Sequence, residues 1–208
     1  MFFLSVVEHK FALPPEFLPT GVEVEGCHPL ERGIRKELEK FFLDKVIAKL
    51  GLCVSIYDIR SISGGEIPAA AGSPVYKVKF RMLVFRPFEG EVISADLIDS
   101  NDDGLRLSLG FFDDIYIPAH CLPSPSVKTD SKLVDKFPHR VLWRWDFEED
   151  EETESQAMYI LGNCKIKFRV ESVTFPSFPT EKLGHPFAPM MVIGSIEDAG
   201  LGPVAWWE

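Results

Sequence analysis

The segment Gly104–Pro118 constrains the fold of this chain more than any other part of its sequence. Leucines occupy every second position in its first half: Leu105, Leu107 and Leu109. This period of two is typical of a strand with one buried face. Gly110 interrupts the alternation, and Ile115 and Ile117 resume it before the proline. The pattern therefore predicts a strand, a tight turn and a second strand.

The composition of the 208 residues favours short strands and turns over long helices. The chain contains 16 prolines and 15 glycines, which interrupt regular elements. Hydrophobic residues make up 46% of the sequence, enough for a substantial core, and the 17 phenylalanines suit strands and stacking surfaces. A chain of this length forms one large domain or two small ones. We expect no membrane-spanning segment and no secretory signal.

The pattern of residues 1–82 predicts a small α+β domain, which we term RNP-like. The predicted elements are a strand in 1–14, a helix over 30–50, a strand over 51–60, a loop over 61–73 and a strand over 75–85. Apolar residues at helical spacing define the helix, from Leu30 through Ile34 and Leu38 to Leu50. Because three strands and one helix bury little apolar surface, we expect an obligate protein partner for this domain.

Residues 83–208 carry the pattern of a small β-barrel. Strands are predicted over 91–99, 104–109, 111–117, 140–148, 165–173 and 190–198, with a loop and a short helical segment over 119–137 and an acidic hairpin tip over 149–156. Five or six short strands with one brief helical insertion are typical of an OB-type barrel. The fold class predicted for the whole chain is therefore α+β, a small N-terminal α+β domain followed by a C-terminal OB-fold barrel.

Several segments, in this order and spacing, resemble the larger subunit of the RNA polymerase stalk of archaea and eukaryotes, most closely the RNA polymerase III form. They are the N-terminal Met–Phe strand leading to Leu13–Pro15, Lys45–Val46 after the helix, Gly51–Ile59, Phe80–Phe88, Gly110–Pro118 and Gly194–Trp207. The resemblance extends over essentially the whole chain. Loops 16–29 and 176–189 differ in length from those of the family, so the resemblance does not define their contacts.

The resemblance implies a non-catalytic nuclear subunit that supports transcription initiation. It implies that residues 1–82 form a tip domain, which packs on the polymerase core and on the smaller stalk subunit in a heterodimer. It also implies that the OB domain contacts nascent or single-stranded RNA. No cofactor is implied. Two alternatives remain open from the residues: a stalk subunit of another polymerase class, and a free-standing OB protein that binds single-stranded nucleic acid.

Six residues of the second domain are candidates for RNA contact: Lys165, Lys167, Arg169, Arg144, Phe111 and Phe112. Three cations on one strand face can follow a phosphate backbone, while aromatic rings stack on bases. The alternative for the cations is an ordinary solvated strand face. Because the two phenylalanines are adjacent, they point to opposite faces, and we expect at least one of them in the core.

Six further residues are candidates for docking on the polymerase core or the partner subunit: Lys77, Lys79, Arg81, Phe85, Phe88 and Trp207. The three cations share one face of the predicted strand over 75–85, opposite an apolar face. Phe85 and Phe88 flank the expected domain junction. Trp206 and Trp207 diverge, so one of them is expected to seal the junction or a partner surface.

Charge and motifs argue against an enzyme, a metal site and a duplex-DNA binder. Residues 1–80 carry ten basic and ten acidic residues, so the net charge of −10 resides in residues 81–208. Duplex binding requires phosphate neutralisation, which an acidic domain opposes. The four cysteines form no Cys-x-x-Cys pair, which predicts free thiols. Asp113 and Asp114 diverge on a strand, and the acidic run 146–154 is typical of a solvated hairpin tip.

Overall fold

The structure divides into two compact units, Met1–Arg86 and Pro87–Glu208. The boundary expected from the sequence, between residues 82 and 83, lies inside the strand Val75–Phe85. The structure is a computed structural model that describes residues 1–18, 29–69, 72–129, 141–147, 156–160, 162, 164–176 and 188–207. Among these residues no helix has the length and apolar character needed to span a bilayer.

The first unit is a four-stranded antiparallel sheet with one helix. Its elements are β1 (Phe2–Ala12), α1 (Pro29–Phe42), β2 (Val46–Ile47), β3 (Gly51–Glu66) and β4 (Val75–Phe85). The strand order is β1-β4-β3-β2, so β1 forms one edge and is paired with β4 along its whole length. The helix packs against β3, with Ile34 and Leu38 fully buried in the core of this unit.

The helix ends earlier than the hydrophobic pattern predicts. It stops at Phe42, and a short hairpin of β2 and β3 replaces the predicted helical turns up to residue 50. Asp44 (φ 56°) and Lys49 (φ 64°) adopt left-handed backbone conformations that no α-helix contains. Ile47 and Leu50 still pack against the same core as the helix. Apolar residues therefore recur beyond the end of the helix, because the β2–β3 hairpin covers the same core as the helix.

The strand β3 is longer than predicted and includes half of the expected loop over 61–73. Its pairing with β4 continues to Gly64 opposite Tyr76 and Glu66 opposite Val75. Four register irregularities interrupt this pairing. Because each bulge shifts the alternation by one residue, β3 lacks the regular period that reveals a strand in the sequence.

The second unit contains a closed five-stranded barrel, as the OB-type prediction requires. Its strands are β5 (Val92–Asn101), β6 (Gly104–Ser108), β7 (Ile115–Pro118), β11 (Lys165–Thr174) and β12 (Met191–Ser195). They are joined in the order β5-β6-β7-β12-β11 and back to β5, and only the β7–β12 pair is parallel. The predicted hairpin of Gly104–Pro118 is present as β6 and β7. The mixture of one helix and these sheets confirms the α+β class.

The barrel interior is filled by the alternating apolar residues of its strands. Its buried side chains include Ile93, Ala95, Leu97, Leu105, Leu107, Ile115, Ile117, Ile166, Phe168, Val170 and Val192. The residues between them on β11 face outward and are exposed. The period of two in these strands thus separates an apolar interior from a polar exterior.

A three-stranded antiparallel sheet is inserted between β7 and β11. It consists of β8 (Ser126–Thr129), β9 (Leu142–Phe147) and β10 (Gln156–Ile160), in the order β10-β9-β8. Trp143 is buried, and its indole N–H donates to the carbonyl of Asn101, 3.3 Å away, at the end of β5. Residues 130–140 and 148–155, which include most of the predicted acidic tip, lie outside the described residues.

A final short strand and turn connect the end of the chain to both parts of this unit. The strand β13 (Gly202–Pro203) pairs with β11. Trp206 then packs against Trp145 of the inserted sheet, with the ring centroids 5.3 Å apart and the ring planes tilted by 36°. Its indole N–H donates to the Tyr159 carbonyl at 3.3 Å. The C-terminal residues therefore contact both the barrel strand β11 and the inserted sheet.

Candidate RNA-binding and docking surfaces

The three cations predicted to share one face of β11, here termed the basic stripe, lie on the outside of the barrel. Lys165, Lys167 and Arg169 are exposed, while Ile166 and Phe168 between them are buried. The neighbouring strand β5 is also part of this outer wall. Because β11 alternates strictly, the three cations point to the same side.

Carboxylates compensate much of the charge of this stripe. Arg169 forms an ion pair with Asp198 at 2.7 Å, and Lys165 lies directly opposite Asp96 of β5. Lys167 lies opposite the uncharged Ser94. Lys165 and Arg169 are therefore each close to a carboxylate, whereas Lys167 faces an uncharged residue of β5.

Arg144 lies on the inserted sheet and is held by a neighbouring carboxylate. Its guanidinium donates to Asp146 at 2.9 Å, and this contact raises the pKa of Arg144 above its usual value. In the sheet, Arg144 lies between Val127 of β8 and Tyr159 of β10. Arg144 therefore belongs to the inserted sheet, and no strand pairing joins it to the cations of β11.

The two adjacent phenylalanines of the β6–β7 turn have different environments. Phe111 is 48% exposed and Phe112 is 6% exposed. The expectation of an RNA contact is therefore corrected for Phe112, whose ring is part of the protein interior. Phe111 remains accessible to a partner. Ser108, where the turn begins, pairs with Asp96, which also pairs with Lys165, so the turn starts two strands away from the basic stripe.

The three docking cations on β4 differ in how strongly they are held. Arg81 makes two hydrogen bonds to the Asp58 carboxylate, at 2.8 and 2.6 Å, and its guanidinium lies 4.9 Å from the ring centroid of Tyr57. The hydrogen bond from Arg81 lowers the pKa of Asp58. Lys77 forms an exposed ion pair with Glu8 at 2.8 Å, and Lys79 is exposed. Arg81 is accordingly fixed within the sheet by Asp58, whereas Lys77 and Lys79 extend into solvent at its surface.

The aromatic docking candidates divide into one buried and two exposed residues. Phe85 is fully buried and lies 5.5 Å from the Phe2 ring, so the expectation that it contacts another protein directly is corrected. Phe88 is 62% exposed and Trp207 is 49% exposed. The Trp207 indole donates to the Leu201 carbonyl at 2.8 Å, which fixes one edge of its ring.

The adjacent carboxylates Asp113 and Asp114 and the described cysteines are the groups of this chain that most resemble catalytic side chains. Asp114 pairs with Arg106 at 3.3 Å, whereas Asp113 accepts a hydrogen bond from the Ser108 hydroxyl, so the two carboxylates have separate partners. Burial raises the pKa of Asp114. The three described cysteines are free; burial raises the pKa of each, for Cys121 to about 12 with Glu171 contributing. Cys27 lies outside the described residues.

No group of three or more His, Cys, Asp or Glu side chains in the described ranges is placed to hold a metal ion. The two buried thiols, Cys53 and Cys121, belong to different units. A protonated, buried thiol is a poor nucleophile and a poor metal ligand, because both roles need the thiolate.

Comparison with known proteins identifies the family. A family model described as RNA polymerase III subunit Rpc25 matches residues 91–186. The DNA-directed RNA polymerase III subunit RPC8 of Bos taurus is 32% identical over 190 residues, covering 86% of this chain and 88% of the relative. The corresponding rpc8 of Schizosaccharomyces pombe is 30% identical over 191 residues, covering 86% and 90%. The chain belongs to the RPC8 family of RNA polymerase III stalk subunits.

A weaker similarity extends to a second polymerase class. The RNA polymerase II subunit RPB7 of Saccharomyces cerevisiae is 28% identical over 125 residues, covering 59% of this chain and 68% of the relative. The resemblance stated from the sequence is thus confirmed at the family level. The family match also agrees with the architecture, because the matched region 91–186 contains the barrel strands β5, β6, β7 and β11 together with the inserted sheet.

The edge strand β1 is a surface that the sequence analysis did not single out. Phe3, Leu4 and Val6 are 38%, 42% and 55% exposed although they belong to a strand paired over its whole length. The sequence did indicate this surface: Phe2–Val7 is apolar except for Ser5, and it lacks the alternation of a strand with one solvated face.

Proposed function

We propose that this chain is a non-catalytic stalk subunit of DNA-directed RNA polymerase III. It acts in the nucleus, binds the polymerase core together with a smaller stalk subunit, and supports transcription initiation. The observation that carries the proposal is similarity over the length of the chain to curated polymerase III subunits, joined with a barrel and a separate sheet-and-helix unit. The separate partners of Asp113 and Asp114 and the protonated thiols support a role without catalysis.

The extent of the similarity favours polymerase class III over class II. The polymerase III relatives match 86% of the chain, whereas the polymerase II relative matches 59%. The family match includes the inserted sheet between β7 and β11.

The proposal is tested by tagging the full chain in its own cells and identifying co-purifying proteins by mass spectrometry. We expect the core subunits of polymerase III in near-equal amounts with the tagged chain, and one smaller partner. The matched control is the same tag on an unrelated nuclear protein of similar charge. A chain that recovers no polymerase subunit contradicts the proposal, and preferential recovery of the largest polymerase II subunit assigns it to the other class.

We further propose that the outer face of β11 contacts single-stranded RNA within the assembly. Lys167 lies opposite the uncharged Ser94, and all three cations, Lys165, Lys167 and Arg169, are exposed. Their acidic neighbours, with the net charge of −10, keep this contact weak when the chain is alone. The structure thus supports an auxiliary RNA contact rather than a free-standing nucleic-acid binder.

The RNA contact predicts a shallow salt dependence. For single strands each neutralised phosphate contributes about 0.7 to the slope of log affinity against log salt, so three cations give a slope near −2. Lys167→Gln is expected to reduce its magnitude by about 0.7. Fluorescence anisotropy of the full chain with a labelled single-stranded RNA measures both values. Lys36→Gln, which removes the same charge from the first unit, should leave the slope unchanged; an unaltered slope for Lys167→Gln contradicts the proposed contact.

A further inference from the structure

The turn between β6 and β7, residues 109–114, is held in place by polar contacts with the strand that precedes it. The Arg106 guanidinium donates to the Asp113 carbonyl at 3.1 Å and to the Asp114 carboxylate at 3.3 Å. The Ser108 hydroxyl accepts from the Gly110 amide at 2.8 Å and donates to the Asp113 carboxylate. These side-chain hydrogen bonds set the conformation of the turn before any partner binds.

Phe111 is presented to solvent by this turn, while its neighbour is anchored in the interior. Phe112 is 6% exposed, and its carbonyl accepts from the Leu109 amide at 2.9 Å, which closes the turn. Phe111 is 48% exposed. Aromatic side chains are enriched in protein interfaces, and a ring on a fixed backbone loses little conformational freedom on binding. Phe111 therefore has the properties of an anchor residue.

The outer wall of the barrel that carries this turn is acidic. Residues 92–118, which form β5, β6, β7 and their connections, contain six aspartates and one arginine, a net charge of −5. Five of these aspartates are exposed, and the sixth, Asp114, is half-buried beside Arg106. The potential around the turn therefore favours positively charged groups.

The acidic character extends to the turn itself. Cations of neighbouring strands compensate two of the aspartates, Asp96 and Asp102, and neither of these two belongs to the turn. Asp113, two residues after Phe111, is exposed and accepts its hydrogen bond from the uncharged Ser108. An exposed aromatic ring and an exposed carboxylate thus lie side by side in the sequence of one rigid turn.

We propose that the β6–β7 turn docks on another protein, with Phe111 inserted into an apolar pocket that lysine or arginine side chains border. The ring supplies the apolar contact, and the carboxylates orient the partner through its basic residues. This inference goes beyond the proposed function, which assigns no role to the turn.

Two other occupants fit the turn less well. An RNA base stacked on Phe111 would bring phosphates toward Asp113, and binding of single strands needs phosphate neutralisation, which an acidic wall opposes. A second copy of this chain related by a two-fold axis would set the same acidic wall against itself. A protein pocket with a basic border matches both the ring and the charge.

Photo-cross-linking in the protein's own cells identifies the occupant. The photoreactive analogue p-benzoylphenylalanine takes the place of Phe111 in the tagged full chain, and mass spectrometry identifies what is joined to it. We expect a segment of another protein with net positive charge. Adducts with RNA, with a second copy or with an acidic segment overturn the proposal. So does a yield no higher than that of the same analogue at Val127, which is 45% exposed on the inserted sheet. The readout does not depend on the polymerase class, so failure here is distinguishable from failure of the proposed function.

The sign of a charge effect separates a basic protein from RNA. Asp113→Asn keeps an oxygen that can accept from Ser108 and removes the charge, so it should lower the yield of the protein adduct about threefold. The control Asp103→Asn removes the same charge at the other end of β6, about 16 Å away, beyond the screening length of about 8 Å at physiological salt. It should leave the yield unchanged. A yield that rises or stays the same with Asp113→Asn overturns the proposal.

A second pair of variants measures the contribution of the ring. Phe111→Ala should reduce recovery of the cross-linked protein by the tagged chain at least about tenfold, because loss of an anchor residue typically has an effect of this size. Val127→Ala, the control on the inserted sheet, should leave recovery unchanged. Urea titration first establishes that both variants are folded. Equal recovery with Phe111→Ala and with the unaltered chain overturns the proposal.

Discussion

Replacing Phe168 with alanine is expected to lower the free energy of unfolding of the barrel unit by about 3–5 kcal/mol. Phe168 is fully buried in β11, between strands β5 and β12. Truncation removes the ring from an interior built by apolar residues of five strands, and a closed barrel cannot contract to fill the space. The result is a cavity in addition to the lost transfer energy.

The matched control is Phe88→Ala, the same chemical change at a residue of the same unit that is 62% exposed. We expect it to change the free energy of unfolding by no more than about 0.5 kcal/mol. Urea titration followed by circular dichroism measures both variants. Similar losses for the two would show that Phe168 does not occupy the barrel interior.

Gly104→Ala is expected to destabilise the same unit by more than about 3 kcal/mol, because backbone strain and a steric clash add. Gly104 has φ 142°, and a Cβ built on it would lie 2.0 Å from the Ile117 carbonyl oxygen of β7. No side-chain rotation relieves a clash with backbone. The β6–β7 pair at Gly104 and Pro118 must therefore open.

Alanine substitutions at two other glycines distinguish the effect of backbone strain from that of the steric clash. Gly90 has φ 86° with nothing within 4 Å of a built Cβ, and Gly72 also has open space and no positive φ. Gly90→Ala should cost about 1–2 kcal/mol from strain alone, and Gly72→Ala should be neutral or slightly stabilising. Thermal unfolding of the three variants should follow this order. Equal effects at Gly104 and Gly90 would show that the contact with Ile117 is absent.

The barrel was predictable because its strands keep a strict period of two. Leu105, Leu107, Ile115 and Ile117 all face the interior, as their alternation predicts. Closure through the parallel β7–β12 pair, however, joins segments far apart in sequence. Local patterns do not indicate such a pairing, so the prediction of an OB-type barrel depended on the number of short strands and the brief helical insertion between them.

The errors have physical causes at particular residues. The predicted helix ran past Phe42 because Ile47 and Leu50 cover the same core from a hairpin. Phe85 was a docking candidate because it flanks the expected domain junction; it shares the alternation of Lys77 and Lys79 on β4, yet it is fully buried. Periodicity reports which side of a strand a residue occupies, and it does not report whether that side is covered.

The candidate surfaces were predicted only in part for a related reason. The sequence located the cations of β11 and placed them on one face, which the structure shows. It did not reveal that Asp198 pairs with Arg169 or that Asp96 lies opposite Lys165, because these partners come from other strands and from the chain end. The charge of a strand face depends on its neighbours as much as on its own residues.

The parallel β7–β12 pair has a consequence for synthesis on the ribosome. The barrel cannot close until β12 has emerged, after the inserted sheet and β11 have been made. Until then β7 and β11 present unsatisfied strand edges in an open sheet, and pairing between such distant segments forms slowly. The first unit, by contrast, has all its strands once Arg86 leaves the exit tunnel. We expect newly made chains to depend on chaperones during the interval between completion of the first unit and closure of the second.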